Sequence, residues 1–217
     1  MGRLLVDGGS AGIYVSNHDA ATEERTLAGG VIAWNHISGV QVVRGNKGFG
    51  IYLDDGTDHA VVHHNVVDGG GRIRWGIFIH YAQHFSDNIG VYHNTLWDVC
   101  EQAIFAGGRT DTGGTRGVIC RNNLAQRGAM RSLRGEFEAS HNHIDATADE
   151  FVNVKALDFQ LRSARAPAVN AGIAIPGIND EVKNGQPDVG AYEFGSAPWA
   201  AGSSLKPAMA GPDDDRL

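Results

Sequence analysis

The chain has 217 residues, of which 30 are glycine. That glycine share is roughly twice the usual one. No Gly-X-Y period occurs, which excludes collagen. The apolar fraction is 42% and the residues are well spread, which excludes a wholly disordered chain. Such glycine content also argues against a helical bundle, because Gly in a helix interior costs roughly 1 kcal/mol relative to Ala. The net charge of −7 speaks against a nucleic-acid partner. The longest apolar runs are too short for a membrane span, so no membrane partner is expected. Cys100 and Cys120 are the whole cysteine complement and form no disulfide framework and no zinc spacing.

In chain order, Met1 to Ser10 show no apolar segment of the kind a signal peptide needs. Then two series begin. One is a short strand preceded by a small residue: Gly12-Ile13-Tyr14-Val15, Gly50-Ile51-Tyr52-Leu53, Gly76-Ile77-Phe78-Ile79, Ala103-Ile104-Phe105-Ala106 and a degraded Ala129-Met130-Arg131-Ser132. In each, aliphatic side chains alternate with an outward residue. The small residue before each strand is read as a tight corner. The other series is an asparagine with an aliphatic two positions on, at Asn35, Asn65, Asn94, Asn122 and Asn142, spaced by about 30, 29, 28 and 20 residues. Three positions before each lies Ile32, Val62, Val91, Ile119 or Ala139. The two series run in phase. Short strands and turns recurring every 26 to 30 residues, without a helical segment, predict an all-β parallel β-helix, a solenoid of about five to seven coils. A β-sandwich with regular strand spacing is the competing reading. The asparagines are expected to form a corner ladder, with Asn in the left-handed conformation. Residues 1–195 form the predicted β-helix domain. Within it 150–195 are expected to cover the last coil and cap its open end. Residues 196–217, rich in Ala, Gly, Pro and Ser, read as a flexible tail. Repeats that begin almost at once suggest a longer parent chain, or a first coil covered by a partner, which includes a homo-oligomer.

Stacking equivalent positions brings residues together. The outward ladder is Tyr14, Tyr52, Phe78, Phe105 and Arg131. The next is Ser16, Asp54, His80 and Gly107. Beyond it lie Asn17, Asp55, Tyr81 and Gly108. Asp54 and His80 should therefore be neighbours about one coil apart, ~5 Å. Asp19 is expected near Asp55. Two carboxylates on adjacent coils suit glycosidic hydrolysis, which needs one carboxyl kept protonated. Asp-Asp-Gly is also simply a good turn. His80 and Tyr81 suit a second chemistry, β-elimination on a uronic acid, as base and acid. Its neutralising cation would be Arg74, Arg109 or Lys47, or Ca²⁺ held by Asp54, Asp55 and Asp58. Tyr52, Phe78, Tyr81, Arg74 and Arg109 are the expected substrate contacts. Trp34, His64, His93, Arg121 and His141 share one column, read as a stacked polar column rather than a metal site. Trp75 and Trp97 are placed at corners. Gly69-Gly70-Gly71 is read as an extended loop. No dinucleotide or P-loop motif occurs.

The segment Gly50 to Val67 (GIYLDDGTDHAVVHHNVV), with Gly76-Ile77-Phe78-Ile79-His80, resembles right-handed parallel β-helix proteins of the pectin-lyase-like superfamily. Asp158 to Ser163, Ala166 to Gly172 and Asp188 to Glu193 resemble the closing segment of those proteins. The resemblance spans roughly residues 10 to 195. It implies a right-handed helix and a carbohydrate-active role: polysaccharide lyase, glycoside hydrolase, epimerase or a tailspike-type binder. It also implies a secreted or periplasmic protein. The order Asn17-His18-Asp19, Asp54-Asp55, His80 and Arg109 is similar to the polygalacturonase arrangement, although His80 lacks flanking glycines and Arg109-Thr110-Asp111 lacks the lysine. That similarity implies Asp54 or Asp55 as general acid, Asp19 as base, His80 as an orienting group and Arg109 as a sugar-binding cation. Cleavage of glycosidic bonds in a polysaccharide is the expected function. Hydrolysis is preferred to elimination because carboxylates outnumber bases, and the alternative from another class is a non-catalytic glycan-binding or structural β-helix. No cofactor beyond the Ca²⁺ just named is expected.

Overall fold

The computed structural model describes residues 11–15, 30–42, 48–82, 84–108, 111–182 and 185–199. They build an all-β parallel solenoid. The first sheet stacks Ala11–Val15, Gly48–Leu53, Ile73–Tyr81, Gln102–Gly108 and Met130–Ser132. The second stacks Val31–Ala33, Val61–His63, Gly90–Tyr92, Gly114–Arg121 and Gly135–Ser140, with Phe85–Asp87 pairing beside it. The third stacks His36–Ile37, Val66–Asp68, Thr95–Trp97, Leu124–Ala125 and His143–Ile144. The parallel ladders exclude the sandwich. The solenoid makes about three turns, fewer than the five to seven coils expected. At its ends, the first strand triplet includes residues outside the described ones, and the last is shortened to a 19-residue step between asparagines.

Alternation along each strand turns one side chain in two toward the axis, and the parallel register stacks like on like. Ile51 pairs with Ile13 and Ile77, and Ile77 with Ile104. Val62 lies between Ile32 and Val91, and Leu96 between Val67 and Ala125. These columns are the core, and most of their members are fully buried. Burying each such side chain contributes about 1.5–3 kcal/mol. The small residue before each strand of the first sheet is needed for close approach rather than for a positive-φ corner. A Cβ on Gly50 would stand 2.4 Å from both the Gly76 carbonyl oxygen and a Val67 methyl.

The corner between the second and third sheets holds an amide ladder. The Nδ2 of Asn65 donates to Oδ1 of Asn94 at 2.9 Å, and its backbone N–H donates to the same oxygen at 3.1 Å. Asn94 repeats both bonds to Asn123, and Asn123 to Asn142. Each Nδ2 also reaches backbone carbonyls, as Asn94 does with Val62 and Tyr92. The ladder therefore passes through Asn123, not Asn122, and Cys120 and Ala125 take the inward places expected for Ile119 and Leu124. The doublet Asn122-Asn123 offers two phases. The residue before each ladder Asn carries the positive φ: Trp34, His64, His93, Asn122 and His141 lie between 50° and 60°. Asn tolerates that conformation far better than Arg, so Asn122 takes the turn and Asn123 the ladder. Leu124 is no guide to phase, because it is buried on the outer side of the third sheet.

What buries it is the C-terminal segment. Phe151–Asn153 and Asp158–Leu161 form an antiparallel pair. Phe151, Phe159, Leu161, Ala168, Val189 and Ala191 pack with Val66 and Leu124 on the outer face of the third sheet. The Gly190 N–H donates to the Asn122 carbonyl and the Ala191 N–H to Thr95 Oγ1. These contacts run along the side of the solenoid, so the segment expected as an axial cap is a lateral cover. Its order continues past 195: Trp199 donates Nε1 to the Ala191 carbonyl and stacks on Tyr192. Residues 200–217, the rest of the expected tail, lie outside the described residues. Trp97 packs edge-on against Phe151 under this cover and Trp75 lies within the first sheet, so neither stands at a corner. Cys100 and Cys120 are both free.

The buried ladder makes a direct prediction. Asn94→Ala orphans donors on Asn65 and acceptors at Val62, Tyr92 and Asn123, each a cost of about 1–3 kcal/mol. Chemical denaturation should show a loss of at least about 3 kcal/mol, or no folded protein. A loss below 1 kcal/mol would contradict the ladder's role.

Candidate functional site

The outer face of the first sheet carries two rows. The first is aromatic. Tyr14, Tyr52, Phe78, Phe105 and Arg131 are in register as expected. Phe49 and Trp75 form a second column beside them. Phe78 stacks on Phe49 at 5.1 Å and on Trp75 at 4.5 Å between ring centroids. Phe49, Trp75, Phe78 and Phe105 are all buried. Phe78 is thus a packing residue rather than an open sugar platform, and Tyr52 is half-buried against it. Arg74, expected to contact substrate, lies over Trp75 at 4.7 Å and pairs with Glu101.

The second row holds the sharpest feature. Pairing of Leu53 with Ile79 and of His80 with Gly107 brings Asp54, His80 and Gly107 to equivalent places. Nδ1 of His80 lies 2.6 Å from Oδ1 of Asp54. The Tyr14 hydroxyl donates to Oδ2 at 2.5 Å, the Asp55 N–H to Oδ1 at 2.8 Å, and the Tyr52 hydroxyl to Oδ1 at 3.3 Å. Burial alone would raise the Asp54 carboxyl. The bonds from His80, Tyr14 and the Asp55 N–H outweigh it and hold Asp54 well below the usual carboxylate range. Burial, followed by the charge of Asp54, pushes the Tyr52 phenol up. The carboxyl is thus biased toward its ionised form, which favours an orienting or charge-stabilising part over that of a proton donor.

Asp55 does different work. Its Oδ1 accepts the N–H of Ala82 at 2.6 Å and of His84 at 3.2 Å, and its Oδ2 lies 3.0 Å from His84 Nδ1. It ties down the chain just after the His80 strand. The turn reading also holds, since Thr57 donates both N–H and Oγ1 to the Asp54 carbonyl, with Gly56 at φ 75°. Asp58 accepts the Asp87 N–H. Asp54, Asp55 and Asp58 thus serve different partners, and among the described residues no group of three or more His, Cys, Asp or Glu stands ready for a metal.

Tyr81 is a correction. The strand continues through it, so alternation turns His80 outward and Tyr81 inward, where it is fully buried in the core. Burial raises its phenol. It cannot reach a bound polymer. His84 lies in the connection between Ile73–Tyr81 and Phe85–Asp87, outside both repeating series, so the spacing gives no signal for it. Asp19, Arg109 and Lys47 lie outside the described residues.

The geometry is that of an imidazole oriented by a carboxylate. Nδ1–H donated to ionised Asp54 leaves the lone pair on Nε2, the arrangement of a general base. The His80 side chain is 26% exposed, open enough to meet a ligand. The second histidine cluster differs. Trp34, His64 and His93 stack with centroids 4.1 and 4.8 Å apart. Asn122, not Arg121, continues the column and donates Nδ2 to His93 Nε2 at 2.9 Å, as does Asn179. Burial pushes His64 down to about 3 and His93 down to about 4, so both are neutral packing groups.

No family model matches the chain, and neither the curated proteins nor the solved structures compared with it show a match.

The stabilised charge of Asp54 makes stability depend on pH. Folding favours its ionised form, so this contribution is present above the unfolded value near 4 and is lost as pH falls below it. Asp54→Asn should flatten the decline in stability between about pH 4 and pH 2, as measured by urea unfolding across that range. An unchanged acid limb would mean that the bonds to Asp54 do not stabilise its charge.

Proposed function

We propose that the protein is a right-handed β-helix of the pectin-lyase-like kind that cleaves a uronic-acid-containing polysaccharide by β-elimination, with His80 as the base. The reading rests above all on one observation, the His80 Nδ1 held 2.6 Å from an ionised Asp54. Hydrolysis by a carboxylate pair loses support, because it needs a protonated partner and Asp54 is held ionised. Asp55 is occupied by two backbone N–H groups and His84.

In the proposed reaction Nε2 of His80 takes the proton from C5 of the uronic acid. The electron pair of that C–H bond forms the C4–C5 double bond. The C4–O4 bond breaks, the leaving oxygen takes a proton from a water molecule at the open face, and the His80 imidazolium then returns its proton to the hydroxide so formed. Asp54 stabilises the imidazolium as it forms. The uronate carboxylate needs a cation, and chain position nominates Arg109, two residues beyond Gly107, the register partner of His80. Gly108 brings the backbone close at this point, since a Cβ there would lie 3.0 Å from His80 Cδ2.

Incubation with pectate, alginate and glycosaminoglycans tests the proposal. Elimination creates an unsaturated sugar that absorbs in the ultraviolet, whereas hydrolysis yields reducing ends without that absorbance. The ultraviolet product should form with at least one polymer, and His80→Ala should slow it at least about 100-fold, with Asp54→Asn costing a similar factor. Reducing ends without absorbance would restore the hydrolytic reading. No product from any polymer would reduce the Asp54–His80 pair to a structural contact on a non-catalytic β-helix.

A further inference from the structure

A cavity of about 460 Å³ opens at another corner of the solenoid, between Trp34 on the turn joining the second and third sheets and the C-terminal cover. Its size is that of a small-molecule site. Three aromatic rings meet at it. Trp34 stacks one face on His64 and meets Trp199 edge-on at 5.6 Å, with an interplanar angle of 76°. Trp199 in turn stacks on Tyr192 at 5.0 Å and is pinned by its bond to the Ala191 carbonyl. The rings are thus held by packing before any ligand arrives. Trp34 itself is unusual. Other coils place His or Asn at this turn, whereas Trp34 takes φ 60° with a bulky side chain, a conformation that costs about 1–2 kcal/mol for an L-residue. It nevertheless remains 41% exposed.

The polar part of the wall has one sign. Among the described residues, Asp180, Glu181 and Glu193 are the charged groups lining the cavity. His64, which also lines it, is held neutral by burial. Burial, with repulsion from the Asp188 carboxylate added, pushes Glu193 up to about 7, although its oxygens accept the Asp188 N–H. Aromatic faces beside carboxylates attract organic cations and repel anions.

We infer that this cavity is a binding site for an organic ammonium group, held over the Trp34, Tyr192 and Trp199 rings and countered by Glu181 and Glu193. The inference does not rest on the elimination chemistry. The two sites lie at different corners and prefer opposite charges, so an anionic polymer is the wrong ligand for this one. Two sources share the required chemistry: a quaternary ammonium head group and the amine of an amino sugar.

The test uses the full chain, with tryptophan fluorescence and titration calorimetry as readouts. Choline stands for the head group and glucosamine for the amino sugar. The uncharged controls are 3,3-dimethylbutan-1-ol and glucose. At least one ammonium probe should bind saturably, and at least about tenfold more tightly than its uncharged control. Choline alone binding assigns the head group, and glucosamine alone the amino sugar. Trp34→Ala and Glu181→Gln should each weaken that probe several-fold, with thermal unfolding run alongside to verify that the variants are folded. Glu181 is exposed, so its variant keeps the test valid if Trp34→Ala unfolds. Equal binding of probe and control, absence of saturable binding, or affinity unchanged in both variants would overturn the inference.

Discussion

Buried carboxamides at one corner hold every coil to the next. Asn65, Asn94 and Asn123 each give two hydrogen bonds to the Oδ1 of the next ladder asparagine and further bonds to carbonyls of their own and the preceding coil. Asn65, Asn94 and Asn123 are fully buried, so none of these groups can turn to water instead. A slip of one residue would expose the amides and turn the aliphatic columns outward at once. The phase of the stack is therefore fixed at this corner, and every other position in a coil inherits it.

The Asp54–His80 contact is such an inheritance. The two residues are 26 apart in the chain and come within 2.6 Å because Leu53 and Ile79 are register partners in the core. The same register puts Tyr14 on the other carboxylate oxygen. Asp55 then secures the connection after His80 by accepting two of its N–H groups. Adjacent aspartates thus divide the work: one orients an imidazole and the other holds the neighbouring backbone. The burial of Phe49, Trp75, Phe78 and Phe105 beside them gives this row a packed base.

Periodicity made the solenoid readable, because strand alternation and the asparagine repeat are local patterns that the parallel stack converts directly into neighbours. The ladder Asp54–His80–Gly107 and the outward column Tyr14–Tyr52–Phe78–Phe105–Arg131 were legible for this reason. Errors arose where a pattern admitted two phases or where distant chain covers a face. Asn122-Asn123 fits the repeat either way, and only the left-handed turn decides. Tyr81 reads as outward only if the strand stops at Ile79; it runs on to Tyr81, so alternation turns that ring inward. Leu124 and Val66 face away from the axis, yet are buried, and Trp97 partly so, by the C-terminal cover, whose placement no repeat encodes. His84 belongs to an unrepeated connection, and its partnership with Asp55 leaves no trace in the spacing.

The account's central claim is that coil register orients His80 as a base, and the imidazole tautomer reports on it most directly. Long-range ¹H–¹⁵N NMR of the histidine rings, with His80 assigned by its loss in His80→Gln, distinguishes a protonated Nδ1 from a protonated Nε2. The neutral His80 ring should carry its proton on Nδ1, toward Asp54, and Asp54→Ala should remove that preference. A neutral ring protonated on Nε2, or a tautomer indifferent to Asp54→Ala, would contradict the orientation on which the proposed chemistry depends.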